Sequence, residues 1–227
     1  MASMKIYTMG ASQPARAVSW ACLYEGTAVE EVQVMPGKDT RTKEYKERNP
    51  IWAVPRLEEG DFVLNESHAI MCYLGDKFKW KLYPVDPQVR ARIHQYMNWH
   101  HGNTRRITQA LFAPVVRPDL KFAEETIQQW TKEISHTLGA IDFWLAQGKW
   151  LCGDAPTLAD LACYCEVGQC QDKFTGLFAV NGIDLKTYPR IAAWLAECEG
   201  LAGFEKSHEV LKKMAPRFNE MAKKRRA

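Results

Sequence analysis

The strongest constraint on this chain is a change of hydrophobic period near residue 86. Before it, short alternating segments are interleaved with helical ones. After it, apolar residues recur at steps of three and four, the spacing of one helix face. Lys5–Met9 predicts a strand, Pro14–Tyr24 a helix, and Val29–Val34, where Val and Gln alternate, a second strand. The polar stretch from Gly37 to Asn49 has room for a short helix. Val54–Glu58 and Phe62–Leu64 then flank Glu59-Gly60-Asp61, a hairpin signal, and Asn65 stands where it would cap a helix running to about Phe78. The order β-α-β-α-β-β-α gives one small mixed sheet covered by helices.

Pro84 and Pro87 fall within four residues, which neither a helix interior nor a central strand tolerates, so residues 80–87 read as a linker between domains 1–79 and 88–227. Val89, Ile93, Met97, His100, Thr104, Ile107 and Leu111 form the face of one long helix, and Ile127, Trp130, Ile134, Leu138, Ile141 and Leu145 that of a second. Two such helices are expected as antiparallel neighbours. Thr157-Leu158-Ala159-Asp160 is a capping-box variant, which starts a helix at Leu158 running to about Gln169. Shorter helices are expected near Pro189–Cys198 and Phe204–Met214.

With 227 residues, 46% of them hydrophobic, the chain can bury a core without staples. Its seven cysteines are odd in number and include no C-x-x-C pair, which argues for a reducing, cytoplasmic setting over a disulfide framework. The first residues lack the apolar core of a signal peptide, and every later hydrophobic stretch is interrupted by charge, so no membrane span is expected. Four of the 30 positive charges lie in Lys223, Lys224, Arg225 and Arg226, and without them 26 positive charges face 27 negative ones. A balanced body counts against a nucleic-acid face. The tail is expected to be a frayed, solvated end, with a nuclear-targeting role as the alternative. His94, His100 and His101 are spaced wrongly for convergent ligands on one helix face, so no metal is expected. Cys163, Cys165 and Cys170 read as packing residues, and the eight tryptophans as core residues and not as a nucleic-acid stacking platform.

Three features of the first part carry chemistry. Pro14 suits a first helical turn, so Ser12 sits just before a helix N-terminus, where a hydroxyl and the positive end of the helix dipole together stabilise a thiolate. Val54-Pro55 opens a strand straight after a loop; proline is tolerated there, and the neighbouring backbone is left to pair with an extended ligand. A cis bond is expected at Pro55. Glu66 and Ser67 begin the third helix, where N–H groups and a hydroxyl can seat a carboxylate while Glu66 holds an ammonium. Taken singly, each has an ordinary reading: a turn serine, an edge-protecting proline, an acidic residue compensating a helix dipole.

Taken in order, they resemble the cytosolic glutathione transferases of the serine-type theta class. Ser12-Gln13-Pro14-Ala15-Arg16-Ala17-Val18 is similar to the segment with the class's serine. Val54-Pro55 and Glu66-Ser67-His68-Ala69-Ile70-Met71-Cys72-Tyr73-Leu74 are similar to its cis-proline and γ-glutamyl segments. Trp99-His100-His101 with Arg105-Arg106, Thr157-Leu158-Ala159-Asp160, and Phe204-Glu205-Lys206-Ser207-His208-Glu209-Val210-Leu211 resemble three later stretches. The resemblance implies a thioredoxin-like first domain, a helical-bundle second domain, glutathione as co-substrate, no metal, and a homodimer. It implies Ser12 as the donor to the glutathione sulfur and Arg105 as a stabiliser of developing negative charge. Gln13 assists at the same turn, the Val54 backbone beside Pro55 pairs with the cysteinyl part, and Glu66 and Ser67 hold the γ-glutamyl end. Met97, Trp99 and Phe112 are expected to line the second-substrate pocket for a small electrophile, attacked by conjugation or, for a hydroperoxide, reduced.

The chain departs from the class at the glycyl end. Asp39-Thr40-Arg41-Thr42 stands where a histidine is usual, and Trp52-Ala53 where a lysine often precedes Val-Pro. Arg41 or Lys38 is expected to replace the lost cation, and a modified or larger glutathione-derived thiol is the alternative substrate. Two rival functions differ in kind. A thiol-disulfide oxidoreductase would need a cysteine at position 12. A non-catalytic interaction module on this fold, of the sort used in translation and assembly factors, would let the glutathione residues decay.

Overall fold

A computed structural model describes residues 4–226. The leaderless reading of Met1–Ser3 and the side chain of Arg226 in the basic tail lie outside the described residues. The chain divides into two compact units, one running to Pro84 and completed by Leu201–Val210, the other formed by Val85–Gly200 and the residues from Leu211 onward.

In the first unit, β1 (Met4–Thr8) is central because its apolar alternation buries Ile6 and Thr8 on one face. It pairs in parallel with β2 (Glu30–Gln33), and a parallel partner requires the crossover helix α1 (Gln13–Tyr24). A short 3-10 turn (Asp39–Arg41) and α2 (Lys43–Arg48) lead to the antiparallel hairpin β3 (Arg56–Glu59) and β4 (Phe62–Asn65), turned at Gly60 with φ 59°. The sheet order is β2-β1-β3-β4. Helix α3 (Ser67–Phe78) packs beside α1, whose small Ala15, Ala17 and Ala21 are buried. The expected mixed sheet is therefore present, with one correction. Asn65 does not cap α3. It pairs with Arg56 in the ladder, so strand pairing claims it, and Glu66 occupies the junction instead.

The stretch 80–84, in the expected linker, is seated on this unit, and the division between the units falls after Pro84. Trp80 Nε1 donates to Thr27 Oγ1 at 2.8 Å, the Leu82 N–H donates to Glu25 at 2.7 Å, and Trp80, Leu82 and Tyr83 are buried. Leu201–Val210 joins the unit through Trp20, whose indole donates to the Ala202 carbonyl at 3.1 Å and meets Phe204 and His208 edge-on at 5.5 and 5.1 Å.

The second unit is helical, as expected. Pro87 opens α4 (Pro87–Gly102), and Asp86 caps it by accepting from the Gln88 and Val89 N–H groups, each at 2.9 Å. The single long helix expected from Val89 to Leu111 is in fact broken. Asn103 leaves the helical region at φ −130°, ψ −84°, and its side chain takes the Trp99 carbonyl at 2.9 Å, competing with the helix for that acceptor. A short α5 (Thr104–Ile107), a π-turn (Thr108–Phe112) and α6 (Ala113–Val116) follow. Helix α7 (Glu124–Leu145) buries Ile127, Ile134, Leu138, Ile141 and Leu145 of the expected face, while Trp130 is only half-buried. It runs antiparallel to the preceding stretch: Trp144 meets Trp99 at 4.8 Å, while Trp130 lies 4.9 Å from the Arg106 guanidinium.

Every residue of α8 (Leu158–Val167) is buried, including Cys163 and Cys165, and both halves of its capping box are formed. Helices α9 (Leu177–Val180), α10 (Pro189–Glu199) and α11 (Phe204–Arg226) follow. Helix α11 continues past Met214, through Pro216, to the basic tail, where Arg225 pairs with Glu124 at 3.2 Å, so the described tail is helical and not frayed. No helix among the described residues is long and apolar enough to cross a membrane.

Candidate active site

The strand register gathers four of the chain's chemical segments at one end of the sheet. Tyr7, Arg56 and Asn65 share one rung, and Thr8 pairs with Gln33 on the other side. The loops leaving that rung are the β1–α1 loop with Ser12, the segment ending in Val54-Pro55, the Glu66-Ser67 junction, and the loop with Lys38 and Arg41. Four stretches scattered over about sixty residues of sequence thus share one edge of one small unit.

Ser12 is the N-cap residue of α1, with extended backbone at φ −75°, ψ 125°. Its N–H donates to the Met9 carbonyl at 2.8 Å and its own carbonyl accepts from Arg16 N at 2.8 Å, so its backbone is fixed. A serine here ordinarily turns its hydroxyl onto the first helical N–H groups. Ser12 does not, and its side-chain hydroxyl is left to another partner at the positive end of a twelve-residue helix. Gln13 is buried at the first helical position. Arg16, also buried, reaches back from the next turn and donates to the Ala11 carbonyl at 3.3 Å, holding the loop in shape.

The Val54-Pro55 bond is cis. Val54 stands one residue before Pro55 and outside the ladder, whose register begins at Arg56. The preceding Ala53 carbonyl is clamped by the Tyr45 hydroxyl at 2.7 Å and Asn49 Nδ2 at 2.8 Å. Arg56, the charged neighbour of Pro55, points away from solvent: its guanidinium stacks 3.8 Å from the Tyr7 ring and 4.1 Å from the Tyr45 ring and pairs with Glu58 at 2.8 Å. Trp52 adopts φ 55°, rare for a bulky residue. Its ring meets two cations, the Arg41 guanidinium at 4.7 Å and the Lys46 ammonium at 4.5 Å. Lys38 is exposed at the head of the same loop.

Glu66 carries a second unusual backbone, φ 71° and ψ 116°, and is exposed, while Ser67 is buried at the first position of α3. Strain at such a junction persists only where the surroundings impose it, and it collects at ligand-holding positions.

In the second unit, Met97 and Phe112 are buried in the core, Phe112 edge-on to Phe218 at 5.2 Å, and Trp99 is half-buried against Trp144. A cleft of about 710 Å³ in this unit is lined by Leu111, Val115, Ile127, Leu177 and Arg225 among others, and by none of those three. Arg105 extends from α5 and pairs with Glu166 on α8 at 2.8 Å.

Residues 6–85 match the family described as Glutathione S-transferase, N-terminal domain, and residues 104–202 match Glutathione S-transferase, C-terminal domain. The chain belongs to the glutathione S-transferase family. It is 33% identical to Glutathione S-transferase T1 of Arabidopsis thaliana, an alignment covering 97% of this chain and 94% of that protein. Among solved structures it is similar to human glutathione-S-transferase T1-1 in its apo form, at 27% identity and TM-score 0.77, covering 98% of this chain and 96% of that one. It is also similar to human glutathione transferase theta-2 in complex with glutathione and an unknown ligand, at 26% identity and TM-score 0.78, covering 95% of this chain and 91% of that one.

In this theta-like transferase, several residues near the site carry no local signal in the sequence. Arg16 as loop clamp, Tyr45 and Asn49 as holders of Ala53, and Lys46 against Trp52 are fixed by tertiary placement. The available hints are faint: an arginine on an apolar helix face, and an aromatic residue in a polar loop. Cys22, the cysteine nearest to Ser12 in the chain, lies inside α1, and burial pushes its thiol up to about 12, so it is inert as a nucleophile.

Glu166 is equally silent in the sequence. Burial alone would raise its pKa, but the Arg105 charge, with His100 and Thr108 beside it, overrules burial and holds the carboxyl at about 2. Because the folded value lies below the unfolded one, the ionised form contributes stability that is complete above pH 4.5 and is lost as pH falls toward 2. The shift corresponds to roughly 3 kcal/mol. Urea unfolding at pH 7 and pH 3 is expected to show Glu166→Gln well below the wild type at neutral pH, with the gap narrowing in acid.

Proposed function

We propose that this chain is a serine-type glutathione transferase that activates the glutathione thiol for attack on small electrophiles. The observation that supports it most is the convergence of Ser12, Val54-Pro55, Glu66-Ser67 and the Lys38–Arg41 loop at one end of a single sheet. The Ser12 hydroxyl donates to the glutathione sulfur, and the α1 N-terminus adds its dipole, which brings a thiol of pKa roughly 8.5–9 toward neutrality. The thiolate then attacks the electrophilic carbon, the carbon–sulfur bond forms, and the leaving group departs with the electron pair of the bond that breaks.

Gln13 supports the turn that presents Ser12. The Val54 backbone pairs with the cysteinyl part of the peptide, next to cis-Pro55. Glu66 takes the γ-glutamyl ammonium and Ser67 the adjoining carboxylate. Arg41, held against Trp52, with Lys38 nearby, takes the glycyl carboxylate that a histidine would otherwise hold. Arg105 faces charge developing on the leaving group. Met97, Trp99 and Phe112 belong to the wall of the electrophile's site, the enzyme works as a cytoplasmic homodimer, and no metal takes part.

Calorimetric titration with glutathione and with its glycine amide, alongside glutathione-dependent consumption of an alkyl halide, tests this reading. Glutathione is expected to bind and turn over, and the amide to bind about tenfold more weakly, the effect of losing one charge-assisted contact. Failure of glutathione to bind or be consumed would sink the transferase reading in favour of a non-catalytic interaction module. Equal binding of the two would remove Arg41 and Lys38 from the site.

A further inference from the structure

We infer that Glu166 is a positioning residue for the transfer reaction, holding the Arg105 guanidinium, from a fully buried place on α8, in the orientation that meets negative charge on the leaving group. The inference rests on the role given to Arg105 above. Its geometry lies wholly within the helical unit.

The pair is unequal in burial. The Glu166 side chain is 2% exposed and that of Arg105 is 32% exposed, at an Nη1–Oε1 distance of 2.8 Å. An ion pair meant only to tie α5 to α8 would be replaceable by apolar residues at no loss, because desolvating two charges offsets their attraction. A buried anion under a partly open cation does something an apolar pair cannot: it fixes the direction of a positive charge presented at a surface.

The carboxylate is itself held on both oxygens. Oε1 also faces His100 Nε2 at 3.6 Å, and Oε2 accepts the Thr108 hydroxyl. Thr108 in turn accepts from Gln169 Nε2 at 2.7 Å, and the Gln169 carbonyl accepts from the Thr175 hydroxyl at 2.6 Å. On the other side His100 Nδ1 lies 3.1 Å from the Tyr96 hydroxyl, which donates to Thr104 at 3.2 Å. A carboxylate so held cannot swing, and neither can the nitrogen bound to it.

The chain is distorted where this network meets it. The helix breaks at Asn103 and opens into the π-turn at Thr108, with Arg105 and Thr108 on the two sides of the junction both reaching Glu166. Such π-turns are frequent at functional sites. The low pKa of Glu166 keeps the anchor charged throughout the range in which a glutathione thiolate forms.

A double-mutant cycle tests this on the full-length chain. Wild type, Arg105→Ala, Glu166→Gln and the double variant are compared at saturating glutathione, with alkyl halides and sulfate esters of graded leaving-group pKa. Arg105→Ala is expected to lower kcat roughly 10- to 100-fold and Glu166→Gln about tenfold, with the double variant no worse than Arg105→Ala alone. Glu166→Gln should also steepen the dependence of kcat on leaving-group pKa, a readout that loosened helix packing would not move. If Arg105→Ala leaves kcat unchanged, the role of Arg105 is wrong and the positioning role goes with it. If Arg105→Ala is impaired but the Glu166→Gln loss multiplies with it, or is equal for all leaving groups, Arg105 stands and Glu166 is structural. Should Glu166→Gln not fold, Glu166→Asp, which keeps the charge on a shorter arm, takes its place in the cycle, and the same pattern of losses supports or overturns the positioning role.

Discussion

In Ser12→Ala, glutathione bound to the protein is expected to titrate near pH 9, about two units above its value on the wild type, and activity at pH 7 to fall about 100-fold. The size follows from what the substitution removes. The Ser12 backbone is fixed by Met9 and Arg16 and the hydroxyl makes no cap bond to α1, so alanine can keep the loop and lose only the donor. The helix dipole remains, worth less than about 1 kcal/mol at a partly exposed end, which cannot by itself hold a thiolate at neutral pH. Ultraviolet absorbance of the bound thiolate against pH measures this directly. With the γ-glutamyl and glycyl seats on other loops, as proposed, the affinity for glutathione at pH 6, where the thiol is protonated on both proteins, should change less than threefold. A variant that still forms thiolate near neutrality would remove Ser12 from the chemistry and shift attention to the buried Arg16 beneath the same loop.

How far the site can be read from the sequence depends on whether its signals are local. Pro14 marks a helix start, Pro55 a strand start and Gly60 a hairpin, and each punctuates the chain beside a residue of the candidate site, so the convergence of Ser12, Val54 and Glu66 at one end of the sheet can be anticipated without coordinates. The mixed sheet is legible for the same reason, since a period of two gives way to one of 3.6 at each boundary. The break at Asn103 is not legible, because Thr104, Ile107 and Leu111 keep helical spacing with the residues before it. Only Gly102-Asn103, two weak helix formers, hints at the interruption. The segment 80–84 carries two signals: its proline announces a connection, and Trp80 and Leu82 announce burial, which the structure shows. Asn65 looks like a cap and is a strand residue, because a ladder partner 9 positions away outweighs a local preference. Glu166 cannot be recognised at all from its neighbours, since its partners Arg105 and Thr108 lie 61 and 58 positions away.

Asp160 shows the reverse case, a residue whose importance is legible but whose full reach is not, and its loss is expected to be the most destabilising single change considered. The capping box predicts one bond to the Asp160 carboxylate, from the Thr157 N–H, and the structure shows four. Oδ1 accepts from the Leu151 N–H and from Trp194 Nε1, both at 2.9 Å, and Oδ2 accepts from the Thr157 N–H at 2.9 Å and the Thr157 hydroxyl at 3.0 Å. The residue is fully buried, and burial pushes its carboxyl above the usual range against the pull of all four donors. Charge is thus not the gain; the acceptor positions are. Asp160→Ala strands those donors in a dry core at roughly 1–3 kcal/mol each, which approaches the whole stability of a typical chain, about 5–15 kcal/mol. Asp160→Ala is therefore expected to yield little or no folded protein. Asp160→Asn keeps the Oδ1 acceptor for Leu151 and Trp194 but sets an amide N–H against the Thr157 N–H, so it should fold with a loss of about 2–4 kcal/mol, read as a melting point lower by roughly 5–15 °C. Equal damage from the two substitutions would mean that the negative charge, and not the hydrogen-bond pattern, holds α8 in place, and that burial does not govern this carboxyl.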